Sequence, residues 1–389
     1  MKKIISILIT ALFFNFSFSQ NKLQTINKIV SEANNNSKLE NLAHELMDQI
    51  GPRLTGTSQM LQAHDWVIKK YNSWGINSKN EQFGQWRAWE RGISHIDMMS
   101  PWVKSLEGQQ LSWSASTKKN GELGEVVNIP YESKEKFESW LKTIKGKHVL
   151  LGEPDISGRP DYDIERWAKE KTLEEIRKFR LTKRSRQARN IRKTGYAYSD
   201  MIKAIEDAKP AAIITSNWQG GFGTNTIFSP GSFGISSDTP TVDVSMEDFG
   251  LLFRLAESGQ KPTVNINIQS KELGKVPTYN SIGRIEGVEK PNEYIILSAH
   301  LDTTGGGTGA TDNGTGTIVM MEAMRILKKI YPNPKRTIIA GHWGAEEQGL
   351  NGSSAFVEDN PEIVKNLQAL FNQDNGTGRT VNVNWVVSK

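Results

Sequence analysis

Cysteine is absent from the 389 residues. That absence excludes disulfides, thiolate zinc sites, iron–sulfur clusters, a thiol nucleophile and lipid attachment through an N-terminal cysteine. Any metal must be held by histidine, aspartate or glutamate, and histidine is scarce at six. Long apolar runs are missing too: apart from residues 4–14, no stretch suggests a span, and that one falls short of the ~20 residues needed to cross a bilayer. Glycine (34) and proline (14) are too few for a collagen-like or low-complexity chain. With 37% hydrophobic and 23% charged residues, the length fits a globular protein of two or three domains.

The net charge of +5 raises the question of nucleic acid or a membrane surface as partner, and its distribution answers it. Lys2 and Lys3 lie in the N-terminal segment, and residues 177–193 carry nine basic residues without an acid; removing these eleven cations leaves the remainder at −6. The basic run reads as the solvated face of a helix or a surface for an acidic partner. Phe179 is its one aromatic residue, so the stacking groups that nucleic-acid binding needs are lacking. Residues 1–19 combine Lys2 and Lys3, an apolar run over 4–14 and the small residues Ser17 and Ser19, the pattern of a cleavable secretory signal. The expected location is secreted or periplasmic, with no stable membrane insertion once the signal is removed.

Apolar spacing predicts a helix over 39–50 that stops at Gly51-Pro52, and a second over 60–74. From about residue 101 short β-branched runs (124–129, 147–151, 211–215, 241–245, 263–268) suggest a separate β-rich module, interrupted by a long charged helix over 163–194 and a glycine-rich loop over 219–234. From residue 279 buried strands (294–299, 337–341, 367–371) alternate with helices (317–330, 361–366), the signature of a parallel α/β sheet. The expected domains are a signal at 1–19, the first part of a main domain at 20–100, an insertion at 101–272 and a core at 273–389.

Each of the three late strands ends in groups able to bind metal: His300-Leu-Asp302, Glu346-Glu347 and Asn372-Gln-Asp374. Ligands in open α/β sheets gather at the carboxyl ends of strands, so these distant residues can converge. Asp312 lies in a glycine-rich loop opening the next helix. Singly, His300 could be a hydrogen-bonded structural histidine and Asp312 a helix N-cap. The adjacent Glu346 and Glu347 are harder to explain without a cation or proton, because two such carboxylates repel. Opposite-pointing neighbours allow one to coordinate while the other accepts a proton. Asp302, two residues from His300 on an extended chain, is placed to accept the second imidazole N–H. His342 reads as a packed strand residue.

His300-Leu-Asp302, Gly309-Ala-Thr-Asp312-Asn-Gly-Thr-Gly316, Ala345-Glu346-Glu347-Gln-Gly-Leu350 and Gln373-Asp374 together resemble the motifs of the co-catalytic di-zinc exopeptidases. The branch they most resemble is the secreted one with an inserted protease-associated domain, which includes plasma glutamate carboxypeptidase and bacterial leucyl aminopeptidases. The loop Ile50-Gly-Pro-Arg-Leu-Thr-Gly56 and the segments 146–151 and 208–214 extend the resemblance over nearly the whole chain after the signal.

The resemblance implies an α/β fold, a mostly parallel sheet flanked by helices with an inserted β-rich protease-associated domain. It also implies two zinc ions and hydrolysis of peptide substrates as an amino- or carboxypeptidase. His300, Asp312 and Asp374 would bind one zinc, Asp312 would bridge, Glu347 would bind the second, Glu346 would be the general base and Asp302 would support catalysis. The family's second zinc takes a further histidine after the position of Asp374, and no histidine follows His342 here. The sequence thus reads as a member cut short at its C-terminus, with an incomplete sheet and second site. Alternatives are an inactive member acting only in binding, or a single-zinc acyltransferase resembling glutaminyl cyclases.

Overall fold

A computed structural model describes residues 22–374 and 376–378, so the signal-like segment 1–19 lies outside the described residues. The chain divides into two compact units. One comprises the residues up to Ala88, Lys275–Thr303 and those from Gly307 onward; the other comprises Trp89–Gly274 and Thr304–Gly306.

In the first unit, strand Arg336–Trp343 is central. It runs parallel to Lys290–His300, which is in turn parallel to the edge strand Leu367–Asn372, and it pairs antiparallel with the end of Thr263–Ile285. Its residues are buried almost without interruption, because helices cover both faces of the sheet. Ile338 and Ala340 point into a core with Leu46, Val67, Tyr71, Ile318 and Met321, while Ile339 packs on the other face with Ile296, Trp343 and Phe356. Helix Thr315–Ile330 follows the first parallel strand, and Asn351–Asp359 with Pro361–Lys365 follows the central one. Helix Ser58–Ser73 starts at Thr57, whose hydroxyl accepts the N–H of Met60, and buries Met60, Ala63, His64, Val67 and Tyr71 at helical spacing. The predicted helix over 39–50 is α-helical over Leu39–Ala43 and π-helical over His44–Ile50. His342 is fully buried, with Nε2 at 2.6 Å from the Tyr71 hydroxyl, which fits its reading as a packed strand residue.

The second unit holds parallel strands Glu122–Asn128, His148–Leu150, Ala212–Thr215 and Thr241–Val244, flanked antiparallel by the start of Thr263–Ile285 and by Gly108–Gln110. Helices pack on this sheet: Phe249 and Leu252 of Met246–Glu257 join one core, and Phe137, Met201, Ile202 and Ile205 of Lys134–Leu141 and Tyr198–Asp207 join another. The module is therefore richer in helix than its β-branched runs suggest. The single long helix expected over 163–194 is three: Asp161–Trp167, Glu170–Leu181 and Lys183–Lys193. The chain turns extended at Ala168 and Lys169, and at Thr182 the hydroxyl bonds back to the Lys178 carbonyl. No glycine or proline marks either break, so composition could not locate them.

Candidate metal centre

Strand register brings the predicted residues together. Trp343 lies beside His300 and Asn372 beside Ser298, so two of the parallel strands end at one level and the third two residues before it, which brings Asp374 up to the level of His300. His300 closes its strand, Glu346 and Glu347 follow the turn after Trp343, and Asp374 lies two residues past Asn372. The imidazole Nε2 of His300 is 3.0 Å from Asp312 Oδ1, 3.2 Å from Asp374 Oδ1 and 3.9 Å from Glu346 Oε2. One ligand atom each from His300, Asp312 and Asp374 lies within 4.8 Å of the others. Glu347 stands outside this trio.

Asp302 is fully buried, but its carboxylate is used differently from the expectation. The His300 Nδ1 lies 3.1 Å from the main-chain oxygen of Asp302 and 3.6 Å from its carboxylate. The two carboxylate oxygens instead accept the main-chain N–H groups of Glu346, at 3.0 Å, and of Glu347, at 3.2 Å. The reason is local: the chain turns after His300, so the nearest carbonyl meets the ring and the side chain is free to grip the neighbouring turn. Asp302 therefore positions both glutamates.

Two residues to which the sequence assigned no role complete the frame. Arg53, fully buried, donates to the carbonyls of Leu301 (2.7 Å), Gly51 (3.0 Å), Thr308 (2.8 Å) and Gly309 (3.0 Å), pinning the loop that leads to Asp312. Asn313, also fully buried, donates to the Gln373 carbonyl at 2.8 Å and accepts from the Gly316 N–H at 3.2 Å, which ties the Asp312 loop to the segment carrying Asp374. A side chain at Gly316 would run into the Asn313 carboxamide and the Gln373 carbonyl, so glycine permits this approach. The Asp312–Asn313 peptide is cis.

The electrostatics call for a cation. Burial alone would push the His300 imidazole down, but the carboxylates of Asp302 and Asp312 beside the ring and the charge of Asp374 carry it up to about 11. Burial, reinforced by the charges of Asp312 and Asp302, pushes Glu347 up to about 8, and burial likewise raises Glu346. Asp312 is lowered by its hydrogen bond to His300. Without a metal, a proton on His300 balances the acids. One imidazole nitrogen with two carboxylates is a donor set that zinc takes, and three protein ligands are what an open catalytic zinc site uses. The residues therefore fit the metal.

Residues 280–386 match the profile of Peptidase family M28. Carboxypeptidase Q of Mus musculus is 24% identical over 350 residues, covering 87% of this chain and 66% of that protein. The chain thus spans just under two thirds of the length of this relative. Among solved structures, a Peptidase M28 precursor from Shewanella amazonensis aligns with a TM-score of 0.63 at 20% identity, covering 92% of this chain and 75% of the other. A zinc aminopeptidase from Bacillus subtilis aligns with a TM-score of 0.54 at 20% identity, covering 87% of this chain and 68% of the other. These two likenesses bear on the fold. The matched segment 280–386 carries most of the ordered motifs and is similar to Peptidase family M28, a family of metallo-exopeptidases, and the two solved structures share the fold of the chain.

Proposed function

We propose that the chain is a zinc-dependent exopeptidase, of amino- or carboxypeptidase type, that works outside the cell or in a periplasm on peptide substrates. The observation that carries this reading is the trio His300, Asp312 and Asp374 at the carboxyl ends of parallel strands, with Glu346 beside it. His300, Asp312 and Asp374 would hold one zinc, and Asp312 with Glu347 would contribute to a second. When bound, zinc supplies Lewis acidity that polarises a carbonyl and makes water a stronger acid. Glu346 takes the proton of the attacking water and returns it to the leaving amine, a role favoured by a carboxylate raised towards neutrality by burial. Asp302 holds the turn that aims Glu346, and Arg53 and Asn313 hold the loop that aims Asp312. Residues 101–272 fit an inserted protease-associated module outside this machinery.

Glu346→Gln keeps size and shape but removes the proton acceptor. Turnover of a peptide substrate should fall by roughly 100- to 10,000-fold with zinc content unchanged. Loss of zinc in this variant would instead make Glu346 a ligand and exchange its role with that of Glu347.

A further inference from the structure

We propose that a pocket in the inserted unit, formed against helix Lys183–Lys193, binds peptide ends that carry two carboxylates, a C-terminal glutamate or aspartate with its free α-carboxylate. The cavity measures about 480 Å³, within the usual range of roughly 300–1,000 Å³ for small-molecule sites. The inference rests on the exopeptidase reading only for its choice of peptide as ligand.

The basic run is balanced only in part, and at this pocket positive charge is left over. Arg177 pairs with Glu165, Arg180 with Asp155 and Asp161, and Arg186 with Glu153, so these cations are neutralised by acids outside the run. Lys183 and Arg184 both line the pocket, and neither side chain makes a hydrogen bond or ion pair with another described residue. The pocket's one acid, Glu153, is already engaged by Arg186 at 3.4 Å and by the Asn190 amide at 2.8 Å. Two positive charges therefore face the cavity uncompensated. Two carboxylates meet that charge, and Arg184 can take one of them in a bidentate pair.

The remaining wall says what joins the two carboxylates. Leu151, Phe233 and Phe249 supply apolar surface for a short carbon chain. Tyr131, also in the wall, makes no hydrogen bond with another described residue, and burial keeps its phenol protonated and able to donate to a peptide carbonyl. Inorganic phosphate would answer the charge but leave this apolar wall unused, whereas an acidic peptide end uses both.

Calorimetric titration of the full chain with Ala-Glu, Ala-Lys and inorganic phosphate tests the proposal, repeated on Lys183→Ser/Arg184→Ser. Both side chains are exposed and unpartnered, so this variant should fold as the parent does, and circular dichroism checks it. Ala-Glu should bind with a component weakened at least tenfold in the variant, while Ala-Lys and phosphate show no such component. Equal variant-sensitive binding of Ala-Glu and Ala-Lys, or Ala-Glu binding untouched by the variant, overturns the proposal. Phosphate bound as tightly as Ala-Glu and lost in the variant also overturns it, leaving a simple anion site. Binding of Ala-Glu at the metal centre would appear as a component that the variant does not change. Hydrolysis of an uncharged leucyl substrate is measured alongside: if it is missing in the parent chain, the exopeptidase reading fails whatever the pocket does.

Discussion

Replacing Asp302 by asparagine tests how the glutamates are held. The side chain keeps its shape but exchanges one acceptor oxygen for an NH₂ donor, while the two groups it faces, the N–H of Glu346 and of Glu347, are both donors. One charge-assisted bond worth about 1.5–3 kcal/mol is lost, and the other drops to the strength of a neutral pair. Because the residue is fully buried, water cannot replace the lost acceptor. The combined cost to the turn is roughly 2–4 kcal/mol. Freed from its anchor, the turn lets Glu346 drift, and misplacing a reacting group by about 1 Å costs on the order of 100-fold in rate. Asp302→Asn should therefore lower kcat/KM for a peptide substrate by about 100-fold, with a lower melting temperature and zinc still bound. Steady-state hydrolysis, thermal melting and elemental analysis on the same preparation check all three. An unchanged rate at reduced stability would refute the claim that Asp302 aims Glu346. Loss of rate in proportion to loss of zinc would show that Asp302 acts through the His300 ring.

Arg53→Lys replaces a planar fork that serves four carbonyls with a single nitrogen offering three donors, so at least one buried carbonyl near Gly309 loses its partner. The expected loss is about 2–4 kcal/mol of stability together with faster zinc release to a chelator, whereas a destabilised variant that holds zinc normally would make Arg53 structural only. The metal-free protein should also become less stable as pH rises. Glu347, raised to about 8, costs stability progressively above its ordinary value of 4.5, and the contribution of His300, raised to about 11, is complete below 6.5 and lost as pH climbs through 11. Zinc replaces the His300 proton, so the melting-temperature gain on adding zinc should be larger at pH 8 than at pH 5.5; a larger gain at pH 5.5 would contradict it.

The parallel strands and their terminal acids were legible because both leave strong marks on a sequence. Uninterrupted burial gives the apolar runs before His300 and Glu346, and carboxylates placed just beyond such runs have few structural reasons to be there. Arg53 was not legible as an anchor. Its partners are main-chain carbonyls, three of them about 250 residues away, and a carbonyl carries no residue-type signature. Asn313 escaped for the same reason, since it grips the main chain of Gln373. For Asp302 the two-residue spacing places the carboxylate beside the His300 ring, at 3.6 Å, and only the path of the turn shows that the Glu346 and Glu347 amides come closer. The divided helix after Asp161 lacked any breaker residue to announce it.

Diffraction from zinc-equilibrated crystals, with data collected on both sides of the zinc absorption edge, addresses the central claim most directly. An anomalous peak is expected about 2.0–2.2 Å from the His300 Nε2 and from a carboxylate oxygen of both Asp312 and Asp374. The Glu346 carboxylate should lie next to this peak without contacting it. A peak bound by Glu346 instead of Asp374, or no peak at His300 in protein that binds zinc in solution, would contradict it.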